Sequence, residues 1–152
     1  SEEIDWLSAE GLCLYSRSYL PSEGAGAIYL ESADGPAIIR HLPDPVPYNA
    51  FRKTTAATDL REKLGSTDDG ATLLVDGLTG IHRYDAPEAA AWSDWSGPRW
   101  SPKGILGESI GSATAFQVIA AVEALKSGSF REAVVSSIGA NQQAAGILLG
   151  GA

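Results

Sequence analysis

Short apolar runs alternate with segments of helical composition along this chain, and the alternation restricts the possible folds more than any other feature. The run 71–75 (ATLLV), bounded by glycines, is typical of a central strand covered on both faces. The other predicted strands are 25–32, 37–42, 132–137 and 144–149, the last two forming a pair. The predicted helices are 2–16, 54–64, 85–95 and 111–126. This order predicts an α/β domain with a layered, mixed and mostly parallel five-stranded sheet and helices packed on it.

Prolines and tryptophans mark the connections between these segments. Three prolines in 42–48 predict an extended connector, since proline lacks the N–H that regular structure needs. Pro87 is expected in the first turn of the helix 85–95, where a missing N–H costs nothing. The segment 92–102 is predicted to be an aromatic-packed loop. Its three tryptophans could form the floor of an acyl or aromatic pocket, although packing in the core is the favoured interpretation. They are Trp92, Trp95 and Trp100.

The segment 111–126 carries the clearest helical pattern. It is rich in small residues, it ends before Gly128, and its apolar side chains form one stripe: Ala115, Val118, Ile119, Val122 and Leu125. This stripe predicts a helix buried against another element.

Charge and cysteine content exclude several functional classes. The 152-residue chain has a formal net charge of -8, which repels nucleic acid and anionic membrane surfaces. A single cysteine, Cys13, excludes an internal disulfide and favours a reducing, cytoplasmic setting, with the thiol interpreted as buried and structural.

His41 and His82 lack further ligands at suitable spacing, so neither a metal nor a cofactor is expected. No signal peptide or membrane span is predicted, and the absence of Met suggests a processed start or a piece of a longer protein.

Several stretches match, in order, the motifs of one enzyme family. Residues 23–31 (EGAGAIYLE) are similar to a Gly-Glu-Gly-Ala-Gly strand entry, in which glycines let backbone segments approach closely. Residues 77–92 are similar to a His-Gly-Thr-Gly-Thr segment with an Asp eight residues after the His, then a Glu and alanines. Residues 103–113 (KGILGESIGSA) are similar to Lys-Ser-x-x-Gly-His-x-x-Gly-Ala-Ala before a buried helix. Residues 136–141 keep part of a Ser-Phe-Gly-Phe-Gly-Gly turn.

On these motifs the chain resembles the C-terminal half of β-ketoacyl synthases, which belong to the thiolase superfamily. The resemblance implies that residues 1–20 are a helix from the tail of a missing preceding half, and that 21–152 form the C-terminal-like domain. In thiolase-like proteins two similar halves pack into a five-layered pseudo-dimer. The helix 111–126 is therefore where we expect contact with the other half.

The resemblance also locates the two catalytic histidines of the family, and both are replaced here. Gly77 stands at the first position and Glu108 at the second. The residues expected to support the site are Lys103, Asp85 and Glu88, and those expected to bind substrate are Thr79, Gly80, Gly107 and Gly139. Losing two donors and adding a carboxylate opposes stabilisation of a thioester enolate, where one lost donor typically costs about 10²–10³ in rate.

The carboxylates and Lys103 have alternative interpretations. Glu108 could form a new acid/base pair with Asp76 or Asp85, because a carboxylate in a dry pocket can have a raised pKa. Asp85 and Glu88 could instead be helix N-terminal charges that complement the helix dipole, which is the favoured interpretation. Lys103 is expected in a structural ion pair with Glu108 or Glu88.

The leading functional prediction is a non-catalytic ketosynthase-like component of fatty-acid or polyketide assembly, similar to chain-length-factor subunits. Its expected partner is an N-terminal ketosynthase half or a ketosynthase subunit that bears the nucleophilic cysteine. An acyl carrier protein is a further possible partner, and the candidate basic cluster for it is Arg52, Lys53, Arg61 and Lys63. The rival prediction is an active acyltransferase or condensing enzyme whose cysteine lies in the missing half, with Glu108 in an altered acid/base role.

Overall fold

The structure is a computed structural model that describes residues 22–32, 35–49, 51–66, 68–109, 111–139 and 141–152. The predicted helix 2–16 and Cys13 lie outside the described residues. Within them the strands are β1 Ala37–His41, β2 Val46–Pro47, β3 Thr72–Val75, β4 Arg99–Trp100, β5 Glu132–Ile138 and β6 Gln143–Gly151. The helices are α1 Lys53–Leu64, α2 His82–Ala91, α3 Lys103–Leu106 and α4 Ala113–Lys126.

The strands form one mixed sheet in the order β1-β6-β5-β3-β4, with β2 also paired to β6. Strands β4, β3 and β5 run parallel, which confirms the predicted parallel core. The β5–β6 pair, predicted from the two closing apolar runs, is antiparallel. Strands β1 and β2 also pair antiparallel with β6.

The sheet of the described chain has six strands rather than the predicted five. Two of them, β2 and β4, are two-residue strands in the predicted connector and the predicted aromatic loop. Pro47 is tolerated in β2 because this strand lies at the edge of the sheet, where a missing N–H breaks no ladder.

The strand predicted at 25–32 is wrong, because the segment 22–32 pairs with no strand of the described chain. Its glycines instead lie against the side chains of α4. A Cβ placed on Gly24 would lie 2.6 Å from Cζ of Phe116, and one on Gly26 would lie 3.0 Å from Cβ of Ala115. The run of small residues therefore allows backbone-to-helix contact rather than sheet pairing.

The core lies on both faces of the sheet. Side chains alternate along β3, so Leu74 faces one layer while Leu73 and Val75 face the other. The first layer contains α1, the end of α2 and two tryptophans; its largest members are Leu60, Leu64, Trp92 and Trp95. The second layer is α4 with the opposite faces of β3 and β5. The architecture is a helix–sheet–helix sandwich.

Helix α4 turns only part of the predicted stripe to the sheet: Leu125 is buried there, and Val118 and Val122 pack against the same core. Its buried residues are Ala113, Gln117, Ala121, Ala124 and Leu125, while Ala115, Val118, Ile119 and Val122 are only partly buried. A helix that is apolar all round has no unique buried stripe in its sequence. The tertiary contacts select the face whose small alanines allow close approach to the strands.

Helix α2 begins at His82 and ends at Ala91, earlier at both ends than predicted, and Pro87 lies inside it rather than in its first turn. None of the helices in the described part of the chain has the length and apolar character needed to cross a bilayer.

Candidate functional site

Buried polar side chains gather where β3 ends. Asp76 and Gly77 follow the last residue of the strand and are both buried. Oδ2 of Asp76 lies 2.5 Å from Nε of Arg99, at the start of β4, and its Oδ1 accepts a hydrogen bond from the Leu78 N–H at 3.0 Å. Because β3 and β5 are parallel, their carboxyl ends meet at one edge, which places Ser136 of β5 beside this turn.

Asp85 holds the loop that follows. Its Oδ1 accepts hydrogen bonds from N–H and Oγ1 of Thr79, both at 2.9 Å, and its Oδ2 accepts one from the Gly80 N–H at 2.8 Å. Gly80 has a φ of 86°, a conformation that favours glycine. Asp85 lies in the first turn of α2, as the helix-charge interpretation expected, and it also ties the loop to the helix. Thr79 and Gly80, predicted to bind substrate, lie in this loop with their polar groups held by Asp85.

Glu88 is the most perturbed carboxyl of the site. Its side chain is buried, and its Oε1 accepts a hydrogen bond from the Gly77 N–H at 3.2 Å. Burial raises its pKa to about 7, and the charge of Asp76 adds to the effect, while the Ser136 hydroxyl, the Gly77 N–H and the Lys103 charge oppose it. The interpretation of Glu88 as a helix N-terminal charge is wrong, because the first turn of α2 contains only Asp85 as an acid.

The space beside Gly77 is filled from two other elements. A Cβ on Gly77 would lie 3.1 Å from Oε2 of Glu88 and 3.6 Å from Nε2 of Gln117. Nε2 of Gln117 donates to the Ser136 carbonyl at 2.7 Å, and Nε1 of Trp92 donates to the Ser136 hydroxyl at 3.1 Å. The slot assigned by resemblance to the first histidine therefore contains a carboxyl and an amide.

Gln117 is a site residue that the sequence analysis missed. It is fully buried, and its Oε1 has no hydrogen-bond partner among the described residues. The available signal was a glutamine inside an apolar helix, since buried amides are usually held by specific hydrogen bonds. Arg99 was missed because it lies in none of the motifs, and Ser136 was missed because the turn motif at 136–141 assigned it no role in the site.

Lys103 and Glu108 form an ion pair, with Nζ and Oε2 2.6 Å apart and both side chains 12% exposed. The pair agrees with the predicted partner of Lys103. Gly107, a predicted substrate-binding residue, has a φ of 83° that lets the chain turn back after the short helix α3 and place Glu108 beside Lys103.

The alternative acid/base pair of Glu108 with Asp76 or Asp85 stays a prediction. Among the described residues, no hydrogen bond joins Glu108 to Asp76 or Asp85, because Asp76 pairs with Arg99 and Asp85 holds the loop.

The remaining predicted site residues lie elsewhere. Gly139 is in the β5–β6 turn, where its N–H donates to the Gln143 carbonyl at 2.9 Å and its carbonyl accepts from Tyr48. His41 and His82 are exposed, and the described residues contain no cluster of His, Cys, Asp and Glu able to hold a metal ion.

The three tryptophans do not form a common pocket floor. Trp92 and Trp95 are buried and pack edge to face with centroids 5.6 Å apart, as the core-packing interpretation expected. Trp100 is 43% exposed and lies against Phe130.

Comparison with known proteins shows similarity at the level of structure only. No family model matches the sequence, and no curated protein matches it. Among solved structures, the complex of the type II PKS acyl-carrier protein with its ketosynthase, AntDE:AntF, aligns with a TM-score of 0.58 and 6% identity over 75% of this chain. The oxazolomycin ketosynthase domain OzmH KS8 of Streptomyces albus JA3453 aligns with a TM-score of 0.53 and 15% identity over 76% of this chain.

The alignments span 32% and 43% of those two chains, so this chain corresponds to less than half of each. At such identities the comparison establishes the fold and not the role of any residue. The described chain has a ketosynthase-like fold.

Proposed function

We propose that this chain, which has a ketosynthase-like fold, is a non-catalytic component of polyketide or fatty-acid assembly that pairs with a cysteine-bearing ketosynthase half or subunit. The observation that best supports this proposal is the set of side chains in the candidate site. Glu88 and Gln117 fill the space beside Gly77, and Glu108 is neutralised by Lys103.

This composition opposes condensation for an electrostatic reason. A decarboxylative condensation develops negative charge on a thioester oxygen, and fixed hydrogen-bond donors must face that oxygen in the transition state. Glu108 is an acceptor already bound to Lys103, and Glu88 has a pKa of about 7, so near neutral pH it is ionised in about half of the molecules. The Glu108 carboxylate only accepts hydrogen bonds, and the ionised fraction of Glu88 adds negative charge, so neither side chain replaces the missing donors.

The outer face of α4 supports pairing with another half. Ala115, Phe116 and Ile119 lie away from the sheet and are only partly buried, although the segment that contains Gly24 and Gly26 contacts them. An apolar helix face that its own domain buries only in part is typical of an interface. We propose that a helix of the cysteine-bearing half packs here, and that residues 21–152 act as the C-terminal-like domain of the pair.

We further propose an acyl carrier protein as a partner of the assembled protein. The solved complex named above contains such a carrier with its ketosynthase, and that observation concerns the relative. Extension to this chain relies on the shared fold. Of the basic cluster expected to bind a carrier, Arg61 is paired with Asp94 and Lys63 donates to the Asp44 carbonyl at 3.3 Å, so two of its four members are held within the chain.

A loading experiment separates this proposal from an active acyltransferase. The chain is combined with a cysteine-bearing ketosynthase partner, incubated with an acyl-thioester donor, and analysed by mass spectrometry for acyl adducts on the cysteine. Wild type is compared with Glu108→Gln and with Glu62→Gln, an exposed change on α1 that serves as control.

A non-catalytic component predicts equal acyl loading for all three proteins. A large loss of loading in Glu108→Gln, with Glu62→Gln unaffected and pairing intact by gel filtration, would show that Glu108 acts in the chemistry and would contradict the proposal.

A further inference from the structure

One buried hydrogen-bond acceptor of the candidate site has no donor. Oε1 of Gln117 lies in the fully buried side chain of α4 and has no hydrogen-bond partner among the described residues. The orientation of the amide is fixed, because its Nε2 donates to the Ser136 carbonyl at 2.7 Å and a carbonyl can only accept. Since a buried acceptor without a donor is costly, the packing calls for a donor beside Oε1.

Glu88 of α2 reaches the same place from the opposite face of the sheet. A Cβ on Gly77 would lie 3.1 Å from Oε2 of Glu88 and 3.6 Å from Nε2 of Gln117, so both side chains border one small space. A direct hydrogen bond or one bridging water spans a gap of this size. Oε1 of Glu88 accepts from the Gly77 N–H at 3.2 Å, which leaves Oε2 as the carboxyl oxygen that borders the space.

The ionised and neutral forms of Glu88 offer different groups to this amide. A carboxylate only accepts hydrogen bonds, so it would leave Oε1 of Gln117 without a donor, whereas a neutral carboxyl carries one O–H donor. Burial raises the pKa of Glu88 to about 7, so the neutral form is present in about half of the molecules near neutral pH and dominates in acid.

We propose that neutral Glu88 donates its proton from Oε2 to Oε1 of Gln117, directly or through one buried water, and so fastens α2 to α4 across the carboxyl end of the sheet. We call this contact the Glu88–Gln117 latch. It supplies the donor that the buried amide lacks, while Oε1 of Glu88 keeps its bond to the Gly77 N–H. The latch concerns this chain alone and is independent of the partner and of the chemistry proposed above.

Charged groups on the surrounding elements bias the latch in both directions. Asp76, after β3, favours the neutral carboxyl of Glu88, whereas Lys103 of α3 and Lys53 of α1 favour the carboxylate. Asp76 and Lys103 already form ion pairs with other residues. Because burial outweighs the cations, the latch is closed in acid and opens as the pH rises through about 7. Opening sets two acceptors opposite each other, so α2 is held less firmly to α4.

An NMR titration of the Glu88 carboxyl carbon tests the latch. The 152-residue chain is labelled with ¹³C in glutamate, and the Glu88 signal, assigned by its loss in Glu88→Gln, is followed between pH 5 and pH 8.5. Wild type is compared with Gln117→Leu, which removes the proposed acceptor. Thr114→Val is the matched control, because it removes another polar contact of α4 with β5, the one between the Thr114 and Ser137 hydroxyls at 3.2 Å. Circular dichroism verifies the folding of each variant.

In Gln117→Leu the proton affinity of Glu88 should fall about five- to tenfold, because the neutral carboxyl loses its acceptor. In Thr114→Val it should stay within about twofold of wild type. The sign separates the latch from a general effect of polarity, since leucine makes the surroundings more apolar and by itself would raise the proton affinity. A rise or no change in Gln117→Leu, or an equal fall in both variants, overturns the latch.

A second measurement needs no substitution at Gln117 and decides the question if Gln117→Leu does not fold. A carbonyl carbon is deshielded while its oxygen accepts a hydrogen bond, so the side-chain carbonyl carbon of Gln117 in wild type should move upfield with the same midpoint as Glu88. In Glu88→Gln it should not vary with pH, because the new amide N–H donates permanently. A Gln117 carbonyl signal that does not change through the Glu88 titration overturns the latch.

Discussion

Replacing Glu88 by glutamine tests the electrostatics of the site directly. Glutamine has nearly the same shape, and its carbonyl oxygen can accept the hydrogen bond that Oε1 of Glu88 now accepts from the Gly77 N–H. The substitution therefore removes the ionisable proton while preserving the packing between Gly77 and Gln117.

The magnitude follows from the pKa of Glu88. In the folded chain this pKa is about 7, against an ordinary value of 4.5, because burial disfavours the charged carboxylate. At about 1.4 kcal/mol per tenfold change in proton affinity, the difference corresponds to about 3 kcal/mol. Because the folded chain binds the proton more tightly than the unfolded chain, protonation of Glu88 stabilises the fold. This contribution to the free energy of unfolding is fully present below pH 4.5 and is lost as the pH rises through about 7.

The assay is urea unfolding of wild type and Glu88→Gln between pH 5 and pH 8.5, followed by tryptophan fluorescence, with buried Trp92 as a natural reporter. The free energy of unfolding of wild type should fall relative to Glu88→Gln by about 2 to 3 kcal/mol over this interval. Glu62→Gln, an exposed change, should run parallel to wild type. A difference between wild type and Glu88→Gln that does not vary with pH would refute the reasoning.

Two further substitutions test other contacts. Lys103→Met should lower the free energy of unfolding by about 3 kcal/mol, measured by denaturant unfolding, because it leaves the mostly buried Glu108 carboxylate unpaired. Adding Glu108→Leu should recover much of this loss. Stability unaffected by Lys103→Met would contradict a tight pair. Gly26→Val should speed hydrogen exchange in 22–32 and in the adjacent turns of α4, because its Cβ would lie 3.0 Å from that of Ala115. Gly104→Ala, with open space around it, is the control, and equal exchange in the two variants would show that the segment does not contact α4.

The sequence alone determined the class of fold and most of the main elements. Strand β3, the β5–β6 pair, α1 and α4 follow from local apolar patterns, which need no distant partner to be recognised. The prediction of a strand at 25–32 was wrong because a strand also needs a distant partner. Its composition suits a strand, yet pairing requires a neighbouring edge, and its glycines contact α4 instead.

Part of the candidate site was also predictable. The ion pair of Lys103 with Glu108 and the place of Asp85 at the start of α2 depend on residues close in sequence. The roles predicted for Gly77, Thr79, Gly80, Gly107 and Gly139 came from resemblance, and they stay predictions.

Only the tertiary structure decided the character of the site. Glu88, Gln117 and Ser136 lie on three different elements, and they meet because parallel strands end at one edge of the sheet, between α2 on one face and α4 on the other. The raised pKa of Glu88 and the gathering of Lys53 and Arg83 on Tyr84 are consequences of the same packing. Burial and through-space distance set these properties, and neither is encoded in the spacing of residues along a chain.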